Sequence, residues 1–213
     1  MKRTTKAYAE ERLSMVTTQI EARGIKDVHV LEAMKKVPRH VFVPENMRKF
    51  AYNDEPLPIG KGQTISQPYI VAYMTEVLEL SSEDRVLEVG TGSGYQAAIL
   101  AEIVKDVFTV EIVDGLSRNA QEVLETEGYT NIHFKVGDGA NGWEQNAPYD
   151  AIMVTAAPSE IPKVLQGQLT IGGRMILPLG DAFQELVLIV REKRKFRKKT
   201  LLPVRFVPLV KPH

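Results

Sequence analysis

The chain has no cysteine, which excludes disulfides, thiolate nucleophiles and cysteine-ligated metals. Its histidines, His29, His40, His133 and His213, fall into no metal-ligand spacing such as H-E-x-x-H, so no metal is expected. An apolar run of about eighteen residues, the least that spans a bilayer, occurs nowhere. The opening MKRTTKAYAEERL is basic, but it leads into charged residues instead of an apolar stretch. A cytoplasmic protein with no membrane partner is therefore expected.

Neither sign of charge prevails. The 27 basic and 27 acidic residues cancel, leaving no global field that would draw the chain to nucleic acid or membrane. One charge block stands out, REKRKFRKK at Arg191–Lys199. It reads either as a solvated hairpin between strands at Leu186–Val190 and Leu201–Val207 or as a nucleic-acid contact. A single short run cannot supply a sustained phosphate track, and no nucleic-acid partner is expected. Trp143 is the only tryptophan and reads as a packing residue. There is no internal repeat, low-complexity segment or linker.

What the chain does have is ordinary for one α/β domain over residues 1–213, with about 1–58 as a helical extension packed on it: 44% hydrophobic and 25% charged residues. The stretch around which the rest is arranged runs from Arg85 to Glu111. Val86, Leu87 and Val89 have strand character, and Gly90, Gly92 and Gly94 form a turn too tight for side chains. Tyr95–Val104 has helical spacing, and Val107–Ile112 returns to β-branched residues. Such a βαβ unit brings backbone amides and the positive end of a helix to a ligand. Glu111 follows the first glycine by about twenty residues, the interval that sets a carboxylate beside ribose hydroxyls. The pattern is G-x-G-x-G with Tyr95 where the dinucleotide fingerprint has its third glycine, and Glu88 precedes the first glycine by two. An S-adenosylmethionine site fits this, while nicotinamide or flavin binding and a purely structural turn remain open.

Before this unit the spacing predicts a helix from about Tyr8 to Arg23 with Leu13, Val16 and Ile20 on one face. A second follows, capped by Asp27, with Val30, Leu31, Met34 and Val37 buried and Pro38 as its stop. Residues 46–58 read as irregular, and Ile59–Pro68 as a polar loop delivered to a helix that starts near Pro68 and buries Ile70, Met74, Val77 and Leu78. Ser66 reads as the cap of that helix or as a hydroxyl held where anions are favoured, and the two are compatible. After the unit come a helix over Gly115–Glu127, a strand over Asn131–Val136 and Gly137-Asp138-Gly139. There Asp138 is either a turn residue or an acceptor for an adenine amino group. Tyr149–Ala157 is the most apolar strand, ending in small residues, Thr155, Ala156 and Ala157, that either leave room for a substrate or pack a helix tightly. A helix around Ile161–Leu169, Gly172-Gly173 and a strand at Arg174–Pro178 complete the reading.

Taken together, IGKGQTISQPYIVAYMTEVLEL, VLEVGTGSGYQAAILA, VGDGANGW, APYDAIMVTAAP, VRFVPLV and the earlier VPRHVFVP resemble the protein-L-isoaspartate O-methyltransferases nearly end to end. The resemblance implies a Rossmann-like, doubly wound, mostly parallel sheet of the class I methyltransferase type with an N-terminal helical extension. It also implies methyl transfer from S-adenosyl-L-methionine to the free α-carboxylate of isoaspartyl residues in damaged proteins and peptides. The resulting ester collapses to a succinimide, whose hydrolysis restores some aspartate. By position the family's active-site serine falls on Ser66. Its cofactor contacts fall on Thr64, Ile65, Ser66, Val71, Glu88, Gly90, Gly92, Ser93, Gly94, Glu111, Asp138 and Gly139. Some relatives carry histidine where this chain has Val71, which reduces that contact to packing. Thr64, Ser66, Thr155, Ala156 and Ala157 are the expected acceptor contacts.

An α-carboxyl group has an unperturbed pKa of roughly 3.5, so the nucleophile is already ionised at neutral pH and needs no general base. That accounts for the lack of a histidine or cysteine apparatus. Two other readings stay distinct from this one: a cofactor-binding regulator without transferase activity, and a dehydrogenase that binds a nicotinamide cofactor.

Overall fold

The structure is a computed structural model and describes residues 4–210. The first two helices are α1 (Thr5–Met15) and α2 (Val28–Lys36), followed by a small antiparallel hairpin, β1 (Leu57–Gly60) and β2 (Gln63–Ile65), and then α3 (Pro68–Val77). The alternating part of the chain follows as β3 (Arg85–Val89), α4 (Tyr95–Ala101), β4 (Asp106–Glu111), α5 (Asp114–Thr126), β5 (Ile132–Val136), β6 (Tyr149–Val154) and α6 (Lys163–Gly167). The last three strands are β7 (Leu169–Leu179), β8 (Gln184–Arg191) and β9 (Phe196–Val204).

The main sheet has seven strands in the order β5-β4-β3-β6-β7-β8-β9. The five from β5 to β7 are parallel, and β8 and β9 are added antiparallel. The expected doubly wound, mostly parallel α/β fold is thus what the chain adopts. Because β3 pairs with β4 on one side and β6 on the other, the strand order reverses at β3, and a crevice opens at its carboxyl end, where such sheets take ligands.

Alternation along the strands divides the core between the two faces. Val86, Ala151, Met153 and Ile176 point into a cluster shared with Met15, Ile20, Val30 and Met34 of the N-terminal helices. Leu87, Val89, Ile152, Val154 and Met175 point into the other, with Leu165 of α6. Since both faces of β3 are covered, its side chains read as a nearly unbroken apolar run. No described helix is long and apolar enough to cross a membrane.

Several local expectations are corrected. The first helix continues through a π turn, Val16–Ile20, and a 3-10 turn, Glu21–Arg23. The wider turn rotates the inner face, so Met15, Val16 and Ile20 are buried while Leu13 is 53% exposed. The expected loop at 59–65 is the β1–β2 hairpin, its bend made by Gly60, Lys61 and Gly62 at positive φ. The segment read as irregular opens on a 3-10 turn, Glu45–Phe50, and another, Arg39–Phe42, precedes it. Helix α3 buries Val71, Ala72 and Met74, with Ile70 and Val77 partly buried against the same cluster. Gly172 and Gly173 lie inside β7. The basic block is a hairpin whose second half is β9 itself, closed by Glu192 N–H on the Lys195 carbonyl at 2.8 Å. Trp143 packs edge-on against Phe108 at 5.8 Å. His213 lies outside the described residues, and among those residues no group of three or more metal-ligating side chains converges.

Candidate active site

The crevice at the end of β3 is an open cleft of about 770 Å³ including its mouth. Most of the expected residues meet there. Thr64, Ile65, Ser66 and Val71 form one wall, Gly90, Gly92 and Ser93 the floor, and Glu111, Gly139, Thr155 and Ala156 the far side. Four expected residues are not part of the lining: Glu88, Gly94, Asp138 and Ala157.

The glycine turn is built differently from a phosphate cradle. Gly90 N–H donates to the Val110 carbonyl at 2.8 Å, Gly94 N–H to the Thr91 carbonyl at 2.8 Å, and Gly92 N–H to Glu111 Oε2 at 2.9 Å. All three amides are satisfied internally, so none of them is offered to a pyrophosphate, which weakens the dinucleotide reading. Gly90 and Gly94 are needed for steric reasons, Gly92 only for its φ of +53. Gly90 has φ +99, and a Cβ there would lie 2.4 Å from Thr155 Oγ1. A Cβ on Gly94 would meet Leu124 of α5 at 2.9 Å, so this glycine serves helix packing and not the cleft.

Glu111 closes β4 with its side chain fixed at both oxygens. Oε2 takes the Gly92 amide and Oε1 takes the Val113 amide, each at 2.9 Å. The carboxylate expected to be free is held by two backbone donors, and only 6% of the residue is exposed. Each oxygen retains a lone pair toward the cleft, so the anchoring orients the acceptor without consuming it.

Glu88 lies beneath this floor. It is fully buried, its Oε2 accepts from Thr109 Oγ1 at 2.5 Å, and Thr109 is linked in turn to Thr91 at 2.6 Å. Its other oxygen has no partner among the described residues. Burial pushes its carboxyl up to about 8, only partly opposed by the Thr109 bond, so it is mostly protonated at neutral pH. Its chain of contacts ends at Thr91, a lining residue, so Glu88 supports the turn instead of facing the cleft.

Asp138 braces its own turn: Oδ1 accepts from Ala140 N–H at 2.9 Å and Oδ2 from Asn141 Nδ2 at 3.2 Å. It places Gly139 so close to β3 that a Cβ there would lie 2.4 Å from Val89 Cγ1. The end of β6 is likewise occupied. Thr155 shares its hydroxyl proton between the Val89 and Gly90 carbonyls, at 3.0 and 2.7 Å. Ala157 clamps the C-terminal tail, its N–H on the Val207 carbonyl and its carbonyl accepting from Leu209 N–H, both at 2.8 Å. Ala157 therefore makes way for the tail, while Thr155 and Ala156 line the first cleft.

Ser66 is not the helix cap. The cap position of α3 is Gln67, which makes no capping bond. The first free amide of the helix, Tyr69 N–H, is taken by Asp54 Oδ1 at 2.9 Å, while Asp54 Oδ2 accepts from Gln67 Nε2 at 2.7 Å. A carboxylate thus already occupies the helix end that the sequence seemed to offer to a bound anion. No hydrogen bond of the Ser66 hydroxyl occurs among the described residues, and this side chain faces both the first cleft and a second one. The second, of about 940 Å³ including open space, is lined by Pro56, Gln67, Ile70 and the segment Pro203–Val207, and it shares Thr64, Ser66, Thr155 and Val207 with the first.

The sequence reading missed the tail as a wall, Val207–Val210 in the first cleft and Pro203–Val207 in the second. The motif VRFVPLV was visible, but nothing in its spacing says where a chain terminus docks. Asp54 was missed for a similar reason, since its partners lie 13 and 15 residues away.

A model of the protein-L-isoaspartate(D-aspartate) O-methyltransferase family matches residues 10–213. The protein-L-isoaspartate O-methyltransferase of a Picosynechococcus strain is 54% identical over 93% of this chain and 89% of its own length. Among solved structures, a protein-L-isoaspartate O-methyltransferase superposes with a TM-score of 0.85 at 28% identity, over 95% of this chain and 66% of that one. A Plasmodium falciparum protein described by the same activity, solved with S-adenosyl-L-homocysteine, gives 0.83 at 28% identity over 94% and 99%. Since the match runs from the N-terminal helix through the tail that walls both clefts, and is not confined to the glycine turn, the chain belongs to the protein-L-isoaspartate(D-aspartate) O-methyltransferase family.

Proposed function

We propose that the two clefts divide one carboxyl methyl transfer between them, the first holding S-adenosyl-L-methionine and the second the isoaspartyl segment of a damaged protein or peptide. The observation that carries this assignment is their convergence on Thr64, Ser66 and Thr155. The first cleft suits an adenosine ligand: an oriented acceptor in Glu111, apolar walls from Val71, Val89 and Val110, and a turn with no glycine amide to spare for a phosphate. When bound, S-adenosyl-L-methionine supplies a methyl group on an already electrophilic sulfonium.

The rest is positioning. Glu111 takes the ribose hydroxyls on its remaining lone pairs, and Gly90, Gly92 and Ser93 set the depth of the cleft. Thr64, Ile65, Val71 and Gly139 complete its sides, with Asp138 and Glu88 supporting the turns behind them. Ser66, its hydroxyl uncommitted, donates to the acceptor carboxylate. That group is ionised at neutral pH, so no residue has to remove a proton, and holding it in line accounts for the main rate gain, on the order of 7–11 kcal/mol in favourable cases. The ester formed on the α-carboxylate closes to a succinimide without further help from the chain.

An aspartyl side chain carries the same charge, so selectivity rests on shape. In the isoaspartyl form the carboxylate is attached directly to Cα, one methylene closer to the main chain. Thr64, Ser66, Thr155 and Ala156, with Ala157 anchoring the tail beside them, fix the flanking backbone so that only this carboxylate reaches the donor. The whole chain acts as one unit in the cytoplasm, with damaged proteins and not nucleic acid as its partners; the balanced charge and the short reach of the one basic block support that part.

Labelled methyl transfer to matched isoaspartyl and aspartyl peptides tests the reading. Label should enter the isoaspartyl peptide alone and leave as methanol in mild base. Equal labelling of the two peptides, or base-stable label, would overturn it.

A further inference from the structure

Arg39 is the only basic side chain buried among the described residues; its hydrogen bonds go to backbone carbonyls, and the carboxylate of Asp54 acts on it only through space. Burying a cation in this way is costly, and an apolar side chain of similar volume would fill the space more cheaply. What the guanidinium adds is a three-way tie. Nε donates to the Ala51 carbonyl at 2.8 Å, Nη1 to the Ser66 carbonyl at 2.9 Å and Nη2 to the Glu55 carbonyl at 3.2 Å. Its plane also lies 5.2 Å from the ring of Tyr95, a residue of the first cleft.

Two of these contacts reach the second cleft. Glu55 adjoins Pro56, which lines it, and Ser66 stands where it meets the first. Asp54 holds the same stretch from the other direction through Gln67 and Tyr69. The Ser66 hydroxyl has no anchor of its own, so its position is set through its backbone.

We propose that Arg39 is a positioning residue for methyl transfer: by gripping the Ser66, Ala51 and Glu55 carbonyls together it fixes the Ser66 hydroxyl at the junction of the two clefts. This rests on the reading of Ser66 given above. A lysine has one charged centre and no planar fork, so it cannot reproduce three carbonyl contacts in these directions. An error of about 1 Å in such a position can cost on the order of 100-fold in rate.

The test uses Arg39→Lys, Ser66→Ala and the double variant of the full chain. It measures turnover of an isoaspartyl peptide, affinity for S-adenosyl-L-homocysteine by calorimetry, and thermal unfolding. Arg39→Lys should lower kcat by about 10- to 100-fold with cofactor-product affinity changed by less than about threefold, and the double variant should be no slower than Ser66→Ala. Arg39→Met, which leaves no buried charge, carries the same measurements if Arg39→Lys does not fold. Normal turnover in the folded Arg39 variants, affinity that falls in step with kcat, or losses that multiply in the double variant would each overturn the proposal. Normal turnover in Ser66→Ala would instead remove the reading of Ser66 on which it stands.

Discussion

Glu111 Oε2 accepts the amide of Gly92 at 2.9 Å, which joins the end of β4 to the middle of the glycine turn at the end of β3. The acidic residue and the turn are therefore one device. The turn cannot change shape without moving the acid, and the acid cannot be removed without freeing two backbone donors, Gly92 and Val113.

Glu111→Ala should consequently fail in two measurements at once. Losing a charged hydrogen-bond acceptor is worth about 1.5–3 kcal/mol, or roughly 10- to 100-fold in the dissociation constant for S-adenosyl-L-homocysteine. The two amides left without a partner should also lower the unfolding temperature. A calorimetric titration indistinguishable from that of the parent chain would take Glu111 out of the ligand contacts.

Ser66 and Asp54 should separate chemistry from capping. Ser66→Ala should slow methyl transfer while leaving unfolding unchanged, because the hydroxyl caps nothing. Asp54→Ala removes the real partner of the α3 amide and should cost about 1 kcal/mol of stability. Urea unfolding and peptide kinetics on both variants decide the matter, and a stability loss in Ser66→Ala would restore the cap reading.

Gly90→Ala should be destabilising by more than a surface change. It places an L-residue at φ +99 and a methyl group 2.4 Å from Thr155 Oγ1; overpacking of this kind typically costs about 1–3 kcal/mol. In a Thr155→Ala background the added cost should shrink, because the obstructing oxygen is gone. Strictly additive losses in a double-mutant cycle would mean that the two residues do not meet.

Glu88 should make stability depend on pH. Its carboxyl is raised from an ordinary 4.5 to about 8 by burial, so between these values the folded chain holds a proton that the unfolded chain has released. The stabilisation is complete below about pH 4.5 and is lost as pH rises toward 8, with a limiting slope of about 1.4 kcal/mol per pH unit. Thermal unfolding of the parent chain should fall across that window relative to Glu88→Gln, which has no proton to lose. Parallel pH profiles for the two proteins would refute the assignment.

The fold was legible where a pattern is local. The β3–α4–β4 unit announces itself because three glycines, an apolar run and a helical repeat lie within one short stretch, and Asp27 caps α2 as its position suggested. The hairpin at Leu57–Ile65 was hidden because its strands have only four and three residues, too few for alternation to register. In the site, positions set by the backbone turn were recoverable, but side-chain commitments were not. That Asp54 displaces Ser66 from the helix end and that Arg39 lies inside the molecule are facts about contacts distant in sequence. Arg39 stands among apolar residues in VPRHVFVP, an oddity that could have raised the question without answering it.

The sheet ends in a free edge at β9, and that edge carries Arg197, Lys198 and Lys199, all exposed. A damaged protein that has lost local structure presents strands without a partner. An uncharged edge would invite those strands to extend the sheet and turn the enzyme into a seed for aggregates of its own clients. Closely spaced positive charges oppose such addition. Replacing the three residues with threonine should leave the isolated enzyme active yet make it co-precipitate with heat-damaged protein, measured by light scattering; unaltered scattering would show that the edge needs no such protection.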